Sequence, residues 1–585
     1  MVNPKSVVTV VAIEDSSMPD GGYGPLLFYR LYEVVPPAIM SPLQFLAHNQ
    51  LHEVLFSFLP AEDVLRYRCI HGACDALVVH YAREQLLDVV GQDVSMCGIG
   101  DTVIQSAPRK INISLAKLVA RHYDIGTLFE TSESGVRSLS GKLISGMPSS
   151  IDRALELLLH SAMKEKLLRG LLHVDVSDID DIQANSFTKT FIRQVGTHAV
   201  ELRSLGLSGT NLTDAELSLI ATNCLRLQRL DLSGTRGKIT DESLGLIARS
   251  CPLLALDINF ADSFTDDSIK LVATHCPQLE MLDVGFTGIT DESMMLVATN
   301  CLQLLSVGVC FTQGTITDQS LIAIGTHCLQ LRRLDVSNTG GKITDESMKV
   351  VLTNCLKLES LDIGGTEGEI TDETVLLAAK NLPGLLSLNV CGTFGKITDE
   401  SLRLVATNCL QLRSLDVRFT AGWITDESIM LVAFNCHQLE SLDVSSSCGK
   451  ITDESIKVIA AKCRRLACLN VNSTEGKVTD ESMKVVATNC TNLTSVNISA
   501  TKGAITDESV KLLATNCHRL QSLDVSHTEG KVTDASIKLV AIHCRELRSL
   551  TVKHTADKIT EATLSLLKRG VINDPEMPFS VQNLC

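Results

Sequence analysis

The pair Thr344–Asp345 recurs as Thr371–Asp372, Thr398–Asp399, Thr425–Asp426, Thr452–Asp453, Thr479–Asp480, Thr506–Asp507 and Thr533–Asp534, every step being 27 residues. Upstream the same threonine stands at Thr317, Thr290, Thr265, Thr240 and Thr213, with two steps shortened to 25. A fixed period of this length predicts an array of stacked structural units.

One unit divides into a strand and a helix. Leu331, Leu334 and Val336 alternate with polar residues, which predicts a short strand with one buried face. Ser337 to Gly341 has the composition of a loop. Thr344 suits a helix N-cap, and Asp345 and Glu346 place carboxylates at the positive end of the helix dipole. Met348, Val351, Leu352 and Cys355 then fall on one face of a helix. About seven apolar side chains, worth roughly 1.5–3 kcal/mol each when buried, cannot offset about 1–2 kcal/mol of backbone entropy for each residue of a unit. The array is therefore stable only as a whole, with its strands forming one parallel sheet on the inside of a curve and its helices outside.

The run L-x-x-L-D-V followed by a helix and an Asn-Cys pair resembles the cysteine-containing leucine-rich repeat. The cysteine column holds at Cys224, Cys251, Cys276, Cys301, Cys328, Cys355, Cys409, Cys436, Cys463, Cys490, Cys517 and Cys544, and Leu382 alone breaks it. This resemblance implies an α/β fold: a ribonuclease-inhibitor-like leucine-rich repeat solenoid of about 14–15 units over residues 168–569, with its parallel sheet on the concave face. The irregular 31-residue spacing from Val174 to Leu205 is expected where a solenoid closes its end.

At 585 residues the length alone suggests several domains, but the repeats absorb about two-thirds of it. The net charge of −16 argues against nucleic acid or an anionic membrane as partner. Twelve of the 20 cysteines sit at the repeat-locked position on the buried helix face, so they read as small core residues in a reduced compartment, cytoplasmic or nuclear. Bridges between successive units are the alternative. No run reaches the ~18 apolar residues of a membrane helix, and Val7–Ile13 reads as a strand rather than a signal peptide.

Residues 1–40 form an irregular lead-in. From 41 to 87 the sequence predicts short amphipathic helices broken at Pro60, with Glu62 and Asp63 where a helix begins. These helices could simply cap the array. However, Leu51, Val54, Leu55, Phe56, Phe58, Leu59, Pro60, Asp63, Val64, Leu65, Arg66 and Arg68 resemble the F-box, an all-α segment. The resemblance implies that the apolar surface of Leu51, Val54, Leu55, Phe58, Leu59, Pro60, Val64 and Leu65 docks on the small adaptor subunit of a cullin–RING ubiquitin ligase. Residues 88–167 are expected to be a helical connector, and 570–585 a C-terminal tail.

Catalysis is not expected. The chain has no phosphate-binding glycine loop, no zinc spacing of paired cysteines and no nucleophile in a recognisable context, so neither a metal nor a cofactor is implied. The open sheet face is the stronger candidate for function. The residue between the two buried strand positions points out of the sheet, and it is Asp231, Asp257, Asp283, Asp335, Asp362, Asp416, Asp443 or Asp524, with Asn389, Asn470 and Asn497 in three strands. Carboxylates on strands ~4.8 Å apart repel by about 1 kcal/mol in water. Either Ser360, Ser387, Ser414, Ser441 and water solvate this row, or the groove is tuned for a basic segment of a protein partner.

Departures from the repeat single out further positions. Where most units carry lysine before the helix, one carries Trp423, and the same unit has Arg418 and Phe419. Phe260, Phe286 and Phe311 occupy the position of Phe419 in three consecutive units. Exposed aromatics beside an arginine have the composition of binding hot spots; rings that merely pack on the adjacent loop are the alternative. Two functions follow: a substrate-recognition subunit of an SCF-type cullin–RING ubiquitin ligase, or a leucine-rich repeat scaffold unconnected to ubiquitin.

Overall fold

The computed structural model describes residues 169, 171–175, 184–235, 238–312, 314–367, 369–556 and 558–564, with the strands Ile111–Asn112, Ser138–Ser140 and Ser580–Gln582. The candidate adaptor-binding residues between Leu51 and Leu65, and the lead-in, lie outside the described residues.

After the 15-residue helix Ala184–His198, the described units alternate three-residue strands with ten-residue helices, as in Arg333–Asp335 and Asp345–Asn354 followed by Ser360–Asp362 and Asp372–Asn381. All strand pairs are parallel and in register from unit to unit: Leu334 lies beside Leu361, which lies beside Leu388. The result is the stacked array that the periodicity predicted, with the leucine-rich repeat solenoid fold that the resemblance implied. Leu331, Leu334, Val336, Met348, Val351, Leu352 and Cys355 are all buried, and Ile343, just ahead of the N-cap, joins them.

The strand is shorter than the run Leu331–Val336 suggests, because its last residue folds back on itself. Asp335 Oδ1 accepts the N–H of Ser337 at 2.9 Å, an Asx turn that takes this one N–H, while Val336 and Asn338 still donate to the Asp362 and Gly364 carbonyls of the next unit. Thr339, fully buried, then donates its hydroxyl to the Val336 carbonyl at 3.1 Å. Repeated bonds of this kind satisfy the polar groups of each turn inside the core.

The helix start does more than cap. Thr344 Oγ1 accepts the N–H of Glu346 at 3.2 Å, as expected of an N-cap. The neighbouring aspartate reaches into the next unit: Asp345 Oδ1 accepts the N–H of Thr371 at 3.0 Å and Oδ2 accepts its hydroxyl at 2.6 Å. Thirteen successive carboxylates, Asp214 to Asp534, make the same backbone contact to the following threonine. The invariant Thr-Asp pair is therefore a staple between units, in addition to its dipole role.

The sheet runs past both expected ends. Ser138–Ser140 pairs with His173–Asp175 and with Ile111–Asn112, inside the segment expected to be a helical connector, and Ser580–Gln582 pairs with Ser549–Thr551 inside the expected tail. Strands of two or three residues are too short for alternation to register in the sequence. Pairing them covers edges that would otherwise be open.

The cysteine column is structural. All described cysteines are free thiols. Cys355 Sγ lies 3.5 Å from the Cys328 carbonyl, and where Leu382 interrupts the column Cys409 Sγ still meets the Leu382 carbonyl at 3.4 Å. Burial pushes the Cys409 thiol up to about 11, so it stays protonated as a weak donor. Cys409→Ala should destabilise by about 1 kcal/mol or less, whereas Cys409→Asp should do far more damage by placing a charge in a dry core. Denaturant melts of the two variants check this; equal melts would remove the column from the core's energetics.

Candidate surface for protein recognition

The row of carboxylates on the sheet face is built by the strand-ending turn. Asp257, Asp283, Asp335, Asp362, Asp416 and Asp443 each turn Oδ1 to the N–H two residues on, at 2.9–3.1 Å. The backbone turn thus fixes where each carboxylate points. The serines expected to solvate the row, Ser360, Ser387, Ser414 and Ser441, are not its partners. Ser233, Ser337 and Ser445, two residues beyond the aspartate, donate their hydroxyls instead, at 2.6–2.7 Å. Both sets of serines stand two residues from the aspartate and share its face; the turn that ends the strand folds only the later serine back onto the carboxylate.

In-register pairing brings like charges together at Asp231–Asp257–Asp283, Asp335–Asp362 and Asp416–Asp443. Burial and then the neighbouring carboxylates oppose ionisation, although the turn N–H favours it, and Asp257, Asp362 and Asp416 are pushed up to about 6. The interruptions relieve this repulsion. Asn389 Nδ2 donates to Asp362 Oδ2 at 2.8 Å, and Asn470 Nδ2 does the same for Asp443. At Gly308 the row has no side chain, and the Asp283 carboxylate occupies the space, 2.6 Å from where a Cβ would stand.

Arg418 is part of this row. Its Nε lies 3.1 Å from Asp416 Oδ2 and its Nη1 3.9 Å from Asp443 Oδ2, so it bridges two strands as a counter-charge. The residue expected to be a free anchor is thus already engaged on one side.

One residue further along, the described units from Gly209 to His554 place their backbone in the left-handed region. Glycine or asparagine fills the position at Gly234, Asn338, Gly365 and Gly392. Phe260, Phe286, Phe311 and Phe419 adopt it too, with φ of +55° to +58°. Left-handed backbone costs a residue with a side chain about 1–2 kcal/mol, so folding alone disfavours phenylalanine here. These rings are nevertheless exposed, Phe419 by 55%. Phe286 stacks on Phe260 at 4.2 Å between centroids and on Phe311 at 4.6 Å, forming a ladder along the rim.

Trp423, 59% exposed, lies against Gly395 of the preceding loop, where any side chain at Gly395 would collide with the indole. Lysines at the same position, such as Lys342 and Lys450, cover Gly314 and Gly422. The ring therefore packs locally and is still half open. Sequence reasoning missed Phe394, the most exposed of these rings, one residue before that glycine; its departure from Glu367 and Glu475 in neighbouring loops was the available signal. The structure thus brings Arg418, Asp416 and Asp443 together, places Phe260, Phe286 and Phe311 in one ladder, and sets Asp335 and Asp362 on the stretch between.

Among the described residues no group of three or more His, Cys, Asp or Glu side chains could hold a metal ion, and no helix is long and apolar enough to cross a membrane.

No protein-family model matches the chain. Among solved structures it is similar to a chain of the complex of Rad7 and Elc1 in yeast, at 20% identity over 69% of this chain and 93% of that one, with a TM-score of 0.49. It is similar to the leucine-rich repeat protein LegL7 of Legionella pneumophila at 13% identity over 50% and 96% of the two chains, TM-score 0.33. A chain of the TLR13–ssRNA13 complex is 14% identical over 72% of this chain and 65% of that one, TM-score 0.34.

Proposed function

We propose that the chain is a non-catalytic substrate-recognition subunit of an SCF-type cullin–RING ubiquitin ligase. The solenoid holds a protein target and residues 41–87 hold the adaptor. One observation carries the recognition half: phenylalanine is kept at four exposed left-handed positions where sister units carry glycine, asparagine, serine, alanine or histidine. Stacking returns part of that cost to Phe260, Phe286 and Phe311, and the exposed area that the rings keep at strained positions supports selection for contact. The adaptor half rests on the F-box resemblance of Leu51, Val54, Leu55, Phe58, Leu59, Pro60, Val64 and Leu65.

Affinity purification of the full chain beside Leu55→Asp/Val64→Asp tests the proposal. Each side chain is worth roughly 1.5–3 kcal/mol when buried, so the double variant should lose the adaptor while its solenoid melts unchanged. Unchanged recovery of adaptor by the folded double variant would sink the F-box assignment, and no recovery with the parent chain would leave a scaffold unconnected to ubiquitin. In the same experiment Trp423→Ala should weaken target capture at least ~30-fold with little shift in melting temperature. A loss of capture that only tracks stability would move the site elsewhere on the rim.

A further inference from the structure

The rim between Phe311 and Phe419 has a geometry that specifies its occupant more closely. The ladder Phe260–Phe286–Phe311 runs along the row with interplanar angles of 20° and 30°, and Phe311 is its last ring before Asn338. From Phe311 the left-handed positions run Asn338, Gly365, Gly392 and then Phe419, four strand steps in all. At ~4.8 Å per step the two rings stand about 19 Å apart. Nothing bulkier than asparagine occupies the row between them; beyond Phe419 the row continues with the equally small Ser446, Ser473 and Ala500 and ends in the stacked pair His527–His554, which has no carboxylate pair in register beside it.

The chemistry of this stretch is anionic as well as aromatic. Asp335 and Asp362 stand in register beside it, and the Asp416 carboxylate follows, with Arg418 already placed as its counter-charge. The backbone N–H groups of the row are used within the array: Asn338 donates to the Gly364 carbonyl at 2.8 Å, Gly365 to Cys391 at 2.7 Å and Gly392 to Arg418 at 2.9 Å. A bound chain therefore finds no free strand edge and must be held through its side chains.

Resting on the receptor reading above, we infer that this stretch seats an extended peptide segment with two arginines about six residues apart, one against Phe311 and one against Phe419. An extended chain covers the ~19 Å separation in about six residues at ~3.3 Å each. Guanidinium groups suit both halves of the surface, since they stack on aromatic faces and pair with carboxylates. The small residues of the row leave room for the chain between its anchors, and Asp335 and Asp362 attract its charge.

The test uses the full chain and fluorescein-labelled Gly-Ser peptides with two arginines six residues apart, two adjacent arginines, or two lysines six residues apart. In fluorescence anisotropy the first peptide should bind at least ~10-fold tighter than the second, and tighter than the lysine peptide. Phe311→Gly/Phe419→Gly should erase the preference for spacing without lowering the melting temperature, because glycine is at ease at φ +55°. Equal affinities, a preference that survives the double variant, or no binding up to about 1 mM would overturn the inference. A chain that ignores the peptides but captures a target through Trp423 keeps the receptor reading and loses this one. A chain that reads the spacing but never binds the adaptor does the reverse.

Discussion

Asp399→Ala should destabilise the array by about 2–4 kcal/mol in denaturant melts, more than any comparable change at the solvent-facing helix positions. Asp399 Oδ1 accepts the Thr425 N–H at 2.9 Å and Oδ2 accepts its hydroxyl at 2.6 Å. Hydrogen bonds to a charged group contribute about 1.5–3 kcal/mol each, and partial exposure of the carboxylate lowers the sum. Glu400, the next residue, is exposed and makes no such bond to the following unit, so Glu400→Ala should stay within about 0.5 kcal/mol. Because each unit leans on its neighbours, the damage should spread: amide exchange should accelerate in the helices Asp399–Asn408 and Asp426–Asn435 together. Equal effects of the two substitutions would reduce the staple to an ordinary cap.

Asp257→Asn should stabilise the protein at pH 7.5 by about 2 kcal/mol and lose that advantage as the pH falls. Asp257 stands between Asp231 and Asp283, and burial first, then its charged neighbours, push it up to about 6 against the ~3.9 of an unfolded chain. A carboxyl raised on folding binds its proton more tightly in the native state. Its penalty is therefore full above pH 6, shrinks as pH falls from 6 toward 4, and vanishes below the unfolded value. At ~1.4 kcal/mol per pH unit, a displacement of about two units gives about 3 kcal/mol, which solvent screening lowers to about 2 kcal/mol. Asparagine preserves the turn acceptor toward Asn259, as Asn389 does toward Cys391 at 2.9 Å. The parent chain should melt higher at pH 5.5 than at pH 7.5, and the variant should show less of that gain. The staple carboxylates set the opposite limit. For Asp266 and Asp453, burial works against ionisation, yet serine and threonine hydroxyls and the threonine N–H outweigh it and hold both below the usual range. Their contribution is lost at pH below ~4. A melting temperature independent of pH between 5.5 and 7.5 would show that the row is not under electrostatic load.

The two aspartates of each unit carry opposite loads although both look like surface carboxylates in the sequence. Asp399 meets two donors of the next unit, and Asp257 meets two more carboxylates. Sequence spacing placed both correctly on their elements. It could not assign their partners, which come from residues 24 to 26 positions away brought alongside by stacking.

What the sequence determined by itself was the unit, because its copies are printed one after another. The period, the core residues Leu334, Val336, Met348 and Cys355, the N-cap threonine and the parallel stacking all follow from local pattern and the need to cover apolar faces. The tertiary structure alone decided what happens between units. It showed that the strand ends in an Asx turn at Asp335, that Arg418 is spent on Asp416 and Asp443, and that the sheet recruits Ser138–Ser140 and Ser580–Gln582. It also revealed the left-handed backbone beneath Phe260, Phe286, Phe311 and Phe419. The physical reason is common to all of these. Helix and strand formation depend on residues a few positions apart, whereas the position of a carboxylate, a guanidinium or a ring on the assembled surface depends on the register of neighbouring units and on backbone angles that glycine and phenylalanine reach at different energies.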